Sequence, residues 1–271
     1  MGRPLLTSLT AAAFAVAVVL NAIALLSSPN EKLIKTGTVV IPARWFYAFD
    51  VLVLVYVAYY MYYLLLEKCD HLIDYMRFPF ILSLSCLSIG WMFWRHENFV
   101  GAASLFGTGA DIALFAVFYY IYTAQKVRKE HEYSRLDDDD DQLEYKNPTM
   151  RIYIAGIGSI ATLAAWLLAL FYVSLIGALF ENKNISTTVG AANILIALLA
   201  VVVFPLSIFY HSFHLNLVLF WSLVAIATTL EADVLVRVVW TGVGLMAGLF
   251  VWGLHGRFVF ETAGYINYEQ G

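Results

Sequence analysis

The sequence predicts an all-α integral membrane protein of about eight transmembrane helices, and three observations carry this. Hydrophobic residues make up 61% of the chain and charged residues 13%, with a mean hydropathy of +0.75, against about half and about a quarter in a soluble domain. Apolar runs long enough to cross ~30 Å of hydrocarbon, roughly 20 helical residues, recur along the whole chain. Runs such as ILIALLAVVVF and LLALFYVSLIGALF also lack the alternation of polarity over ~10 residues that a membrane β-barrel requires. Helices are then the way to satisfy backbone polar groups in lipid.

The first span covers residues 5–27. It follows Arg3 as a secretory signal would, but its apolar length exceeds the 7–15 residues of a signal core, so an anchor is expected. The second, 45–66, carries a ladder of Tyr56, Tyr59, Tyr60, Tyr62 and Tyr63, rings suited to headgroups or to stacking on a flat ligand. The third and fourth, 79–95 and 99–124, are separated only by RHEN, a turn short enough to join tightly paired helices. The fourth ends in a sterol-type pattern of Val117, Tyr122 and Lys126. The fifth and sixth cover 152–180 and 189–210. The seventh, 213–230, follows the short turn YHSFH. The eighth, 235–257, holds Gly242, Gly244 and Gly248, small residues that let helix backbones approach and are read here as internal packing.

Residues 1–124 thus hold four helices, 125–150 an acidic disordered loop with five consecutive aspartates, 151–262 four more helices, and 263–271 a short tail. A block of like charge repels itself and stays solvated. The four-plus-four arrangement invites a search for duplication, and the halves show no convincing repeat. With eight alternating spans, one side of the membrane receives both termini, the 67–78 and 125–151 loops and the 210–213 turn, and with them ten of the sixteen Lys and Arg. The positive-inside rule makes that side cytoplasmic. Asn184, in Asn184-Ile185-Ser186, falls on the opposite side, where glycosylation is possible.

Polar residues inside apolar spans are the candidate functional groups, because a charge at mid-bilayer is costly unless it faces a cavity or a partner. Asp111, in GTGADIALF, and Asp50, in WFYAFDVLV, are the two carboxylates so placed. Asn21 and Asn193 are expected to act as interhelical glue. Cys69 and Cys86 make no disulfide framework, and Cys86 reads as a small buried hydrophobe.

His71, His211, His214 and His255 all fall near the cytoplasmic side. Zinc needs three or four converging ligands, and membrane hydrolases of the ceramidase and progestin-receptor type gather histidines at one face. A zinc-dependent lipid hydrolase using His211, His214 and His255 therefore stays as an alternative, although YHSFH sets two of them across a turn. Axial haem ligands would need facing depths inside the bundle. No lysine lies in a predicted span to carry a retinal Schiff base, and no nucleotide-binding or nucleophile motif is present.

Three segments in order resemble the tryptophan-rich sensory protein or translocator protein family (TspO/MBR). VVIPARWFYAFDVLVLVYVAYYMYYLL is similar to that family's second helix, LSCLSIGWMFWRHENFVGAASLFGTGADIALF to its third helix, short basic turn and fourth helix, and IATLAAWLLALFYVSLIGALFENKN to its fifth. The likeness covers residues ~5–184 and leaves three helices outside it. Asp50 stands where the family usually has a second tryptophan, Ser88 where it commonly has asparagine, and Met92-Phe93 replace a Ser-Pro pair. The resemblance implies an N-terminal five-helix bundle whose second, third and fifth helices face one another. It further implies a pocket for tetrapyrroles or sterol-like molecules at Trp45, Asp50, Trp91, Phe93, Asp111 and Trp166. No cofactor follows from the residues themselves, and a tetrapyrrole follows from the resemblance alone. The expected function is binding or passage of a hydrophobic small molecule, with a structural or assembly subunit of a membrane complex as the main competitor. Expected partners are membrane lipids and that small molecule; a homodimer or larger complex is open, and no nucleic acid is expected.

Overall fold

The computed structural model describes residues 3–26, 31, 33, 40–65, 71–134, 158–181, 188–203, 213–230, 235–249 and 251. Among them every regular element is a helix. Helix α1 is Arg3–Leu26; a 3-10 turn, Arg44–Tyr47, leads into α2, Ala48–Leu65; α3 is His71–Arg95 and α4 Phe99–Ser134; α5 is Ser159–Glu181. Helix α6, Thr188–Leu198, continues into a π turn, Leu199–Val203; α7 is Phe213–Ala227 and α8 Leu235–Leu249. Four helices hold stretches long and apolar enough to cross a membrane, Trp45–Tyr62, Met76–Arg95, Phe99–Tyr119 and Ser159–Phe180, while α1, α6, α7 and α8 carry shorter apolar stretches.

Helix α7 ends at Ala227, three residues before the end expected for it, and two boundaries differ further from the sequence reading. Helix α3 starts at His71 rather than at Pro79 and runs through the proline. The reason is packing: Met76, Phe80, Leu84, Leu87, Trp91 and Trp94 are all buried, an inward stripe at helical spacing that begins before Pro79. Helix α4 runs on to Ser134 through the basic run, so residues 125–134 are helix rather than loop. The aspartate run, Asn184 and the C-terminal tail lie outside the described residues.

Helix α5 is the axis of the fold. Its apolar stretch is 78% buried, against 44–50% for the other three. It packs most extensively on α4 and also on α7, α2 and α3, while α1 lies against α3 and α2. A helix that is apolar all round is buried all round.

The RHEN turn explains how an apolar helix stops on charge and restarts at once. Asn98 N–H donates to Phe93 O and Glu97 N–H to Trp94 O, both at 3.0 Å, the double closure that satisfies a helix's last carbonyls. Glu97 adopts φ 59°, a conformation that glycine usually supplies. Asn98 then caps α4, its Oδ1 accepting from Gly101 N–H at 2.9 Å. The tight α3–α4 pairing expected of so short a turn is present. Ser83 Oγ donates across it to Gly109 O at 3.0 Å, and a Cβ at Gly109 would lie 2.8 Å from the Cβ of Cys86.

In α8 a Cβ on Gly242 would meet Leu199, whereas Gly244 and Gly248 face open space. Internal packing therefore describes Gly242 and not the Gly244–Gly248 pair. Of the two asparagines read as glue, Asn21 is buried and Asn193 is exposed on α6.

Candidate functional site

The site begins with an extended segment. Pro42 pushes the residue before it toward extended backbone, and residues 41–43 are pinned to the end of α7: Ala43 N–H donates to Ala225 O at 3.0 Å, and Thr229 Oγ1 donates to Ile41 O. From this anchor the 3-10 turn and the first turn of α2 deliver WFYAFD against α5 and α7. Asp50 lies on the buried stripe of Phe46, Val53, Val57 and Tyr60, and its place in the first helical turn puts a carboxylate at the favourable end of the helix dipole.

Trp166, from the centre of α5, completes the arrangement. Its Nε1–H donates to Asp50 Oδ1 at 2.5 Å, a contact spanning 116 residues of sequence. Both residues are 0% exposed. The indole lies 4.8 Å from the ring of Phe46 and 6.2 Å from that of Phe49. Ring contacts then run both ways. Phe49 meets Trp221 of α7 at 5.3 Å, which meets Trp45 at 4.7 Å. Phe46 meets Tyr47 at 5.1 Å, Tyr47 meets Trp91 of α3 at 6.0 Å, and Trp91 meets Trp94 and Phe106. The result is one continuous aromatic array through α2, α3, α4, α5 and α7, each pair of the kind worth about 0.5–1.5 kcal/mol beyond area burial.

Within this array Asp50 Oδ2, Tyr47 Oη and Trp91 Nε1 have no hydrogen-bond partner among the described residues. Groups buried this deeply are satisfied in the great majority of cases, so each asks for an explanation.

The sequence-derived residues divide. Asp50, Trp91 and Trp166 come together in the core, and Trp45 joins at the rim, 38% exposed. Phe93 does not: residues 91 and 94 share one face of α3, which turns 92 and 93 outward, and Phe93 is exposed. Asp111 does not either. Its neighbours Ala110 and Ala113 point inward while Asp111 is exposed on the outer surface of α4.

Phe46, Tyr47, Phe49, Phe106 and Trp221 belong to the array and were not among the sequence candidates. Phe46 could have been found from its helical spacing to Asp50, Val53, Val57 and Tyr60. Trp221 sits in an evenly apolar helix that gives no facing signal.

Of the histidines, His214 is buried, its ring 5.5 Å from Tyr56, and His211 and His255 lie outside the described residues. Among the described residues no three His, Cys, Asp or Glu side chains come together to hold a metal. A cavity of about 30 Å³ lies elsewhere, between α5, α6 and α7, lined by residues including Leu168, Tyr172, Leu199 and Leu219, room for about one or two waters. No protein-family model, curated protein or solved structure matches the chain.

Proposed function

We propose that this chain is a multi-pass membrane protein, its eight helices embedded in the bilayer with both termini on the cytoplasmic side, that binds or passes a hydrophobic small molecule among the aromatic rings of α2, α3 and α5. One observation carries the reading: a fully buried carboxyl, held on one oxygen by Trp166, lies in an array of rings, and its other oxygen and two more polar atoms of the array have no hydrogen-bond partner among the described residues. Apolar sites for small molecules have this composition, hydrophobic and aromatic walls with a few convergent polar groups that fix orientation. A flat ligand would enter by parting the rings and would meet Asp50, Tyr47 and Trp91 with its polar edge. The likeness to the translocator protein family points to tetrapyrroles or sterols as the ligand class.

The experiment is titration of the full chain in lipid nanodiscs with a porphyrin and with a fluorescent sterol, read by tryptophan quenching or energy transfer. Saturable binding of one of them is expected. Trp91→Ala should weaken it by about 1–3 kcal/mol, the contribution of a buried aromatic contact, without loss of helix content. Absence of saturable binding by both, or equal binding by Trp91→Ala, would count against the reading. A second reading, a subunit of a membrane assembly, is supported by the exposed Asp111.

A further inference from the structure

Asp111 takes no part in the aromatic array. Within the apolar stretch Phe99–Tyr119 it lies twelve residues from one end and eight from the other, about 18 and 12 Å at 1.5 Å per residue. It is exposed on the outer surface of α4. Val100, Ser104, Thr108, Asp111, Phe115 and Phe118 are likewise exposed, at spacings of four, four, three, four and three. That spacing draws one seam along a helix, the pattern by which helices pack on each other. The seam is small at its centre. Ser104 and Thr108 donate their hydroxyls to the carbonyls of Val100 at 2.9 Å and Ser104 at 2.8 Å on their own helix, so they permit close approach and give no proton to Asp111.

We propose that this seam docks a transmembrane helix of another protein that carries a lysine or arginine at mid-depth, with Asp111 as its counter-charge. The inference rests on α4 spanning a bilayer. An ionisable side chain at such depth faces a partner or a water-filled space rather than hydrocarbon, and the inner side of α4 is taken by α3 and α5. Charge selects the partner. A second copy related by a two-fold axis along the membrane normal would oppose Asp111 to Asp111 at equal depth, like charges in a low dielectric. A cationic helix matches the carboxylate, and its backbone fits against the small residues from Ser104 to Asp111.

The test places the donor-labelled full chain in phosphatidylcholine vesicles with acceptor-labelled leucine host helices bearing a central arginine, a central leucine, or an arginine near the end of the span. Flotation with the vesicles reports separately whether the chain is in the membrane, so a failure of the spanning reading is seen on its own. Energy transfer is expected with the central-arginine host alone. Asp111→Leu should weaken that association by at least about tenfold, which is 1.4 kcal/mol, and Asp111→Asn by less. Ser104→Phe, which keeps the carboxyl and fills the seam, should also abolish it, while Asn193→Leu on the surface of α6 should leave it unchanged. Circular dichroism checks that the variants stay helical. Equal transfer from all three hosts, or a response indifferent to Asp111→Leu, overturns the proposal. Transfer between two labelled copies of the chain that Asp111→Leu removes also overturns it, since the seam then belongs to a second copy.

Discussion

Replacing Trp166 by phenylalanine keeps an aromatic ring between Phe46 and Phe49 but removes the N–H that holds Asp50. The 2.5 Å bond joins two fully buried residues, and Asp50 Oδ2 already has no partner among the described residues, so the variant leaves both carboxyl oxygens unsatisfied there. A hydrogen bond to a charged group contributes about 1.5–3 kcal/mol, and abandoning a buried acceptor costs its desolvation besides. The smaller ring leaves a void that adds roughly 1 kcal/mol. Trp166→Phe should therefore destabilise by at least about 2.5–4 kcal/mol. Asp50→Leu strands the indole N–H instead and should cost about 1–3 kcal/mol. The double variant Trp166→Phe/Asp50→Leu removes donor and acceptor together, so its cost should fall below the sum of the singles by about 2 kcal/mol, the non-additivity expected of residues in contact. Unfolding by dodecyl sulfate in mixed micelles, followed by circular dichroism because a tryptophan is altered, gives all four corners of the cycle. Additivity within about 0.5 kcal/mol would refute the reasoning, as would a neutral Trp166→Phe.

Two further substitutions probe the α3–α4 hairpin by the same unfolding assay. Glu97 sits at φ 59°, so Glu97→Gly should stabilise by about 0.5–1 kcal/mol, as relief of a left-handed conformation does; a lowered midpoint would show that the turn is held some other way. A side chain at Gly109 collides with the Cβ of Cys86 at 2.8 Å, so Gly109→Ala should cost about 1–3 kcal/mol. Pairing it with Cys86→Gly, which removes the struck atom, should recover part of that loss, whereas pairing it with Cys86→Ala should not.

The helices were legible because each is an apolar run, and the hairpin at residues 95–98 because so short a connection leaves paired helices little alternative. The start of α3 was misplaced because Pro79 is a strong local signal, and the inward stripe that overrides it is set by tertiary packing. The resemblance points to Trp91, Asp50 and Trp166; what places them together is the contact of α2 with α5 and of Tyr47 with Trp91 of α3, which no local pattern encodes. Asp111 and Phe93 fall outside the array for a simpler reason. Depth along a helix can be counted from sequence, but the facing of a helix apolar on every side cannot, and α4 and α3 turn these two residues outward.

The all-round burial of α5 also orders the making of the protein. Its neighbours α2, α3 and α4 are synthesised before it and α7 after it, so a nascent chain ending at α4 forms a socket without its centre. Forty-seven residues run from the end of α4 at Ser134 to the end of α5 at Glu181, and at about 5–20 residues per second translation leaves that socket empty for roughly 2–9 s. During that interval Gly107 and Gly109, which later receive Phe171 and Leu167 of α5, line a vacant groove, and Asp50 has no indole to hold it. The seating of α5 is then the event that buries the carboxyl and gives it a donor.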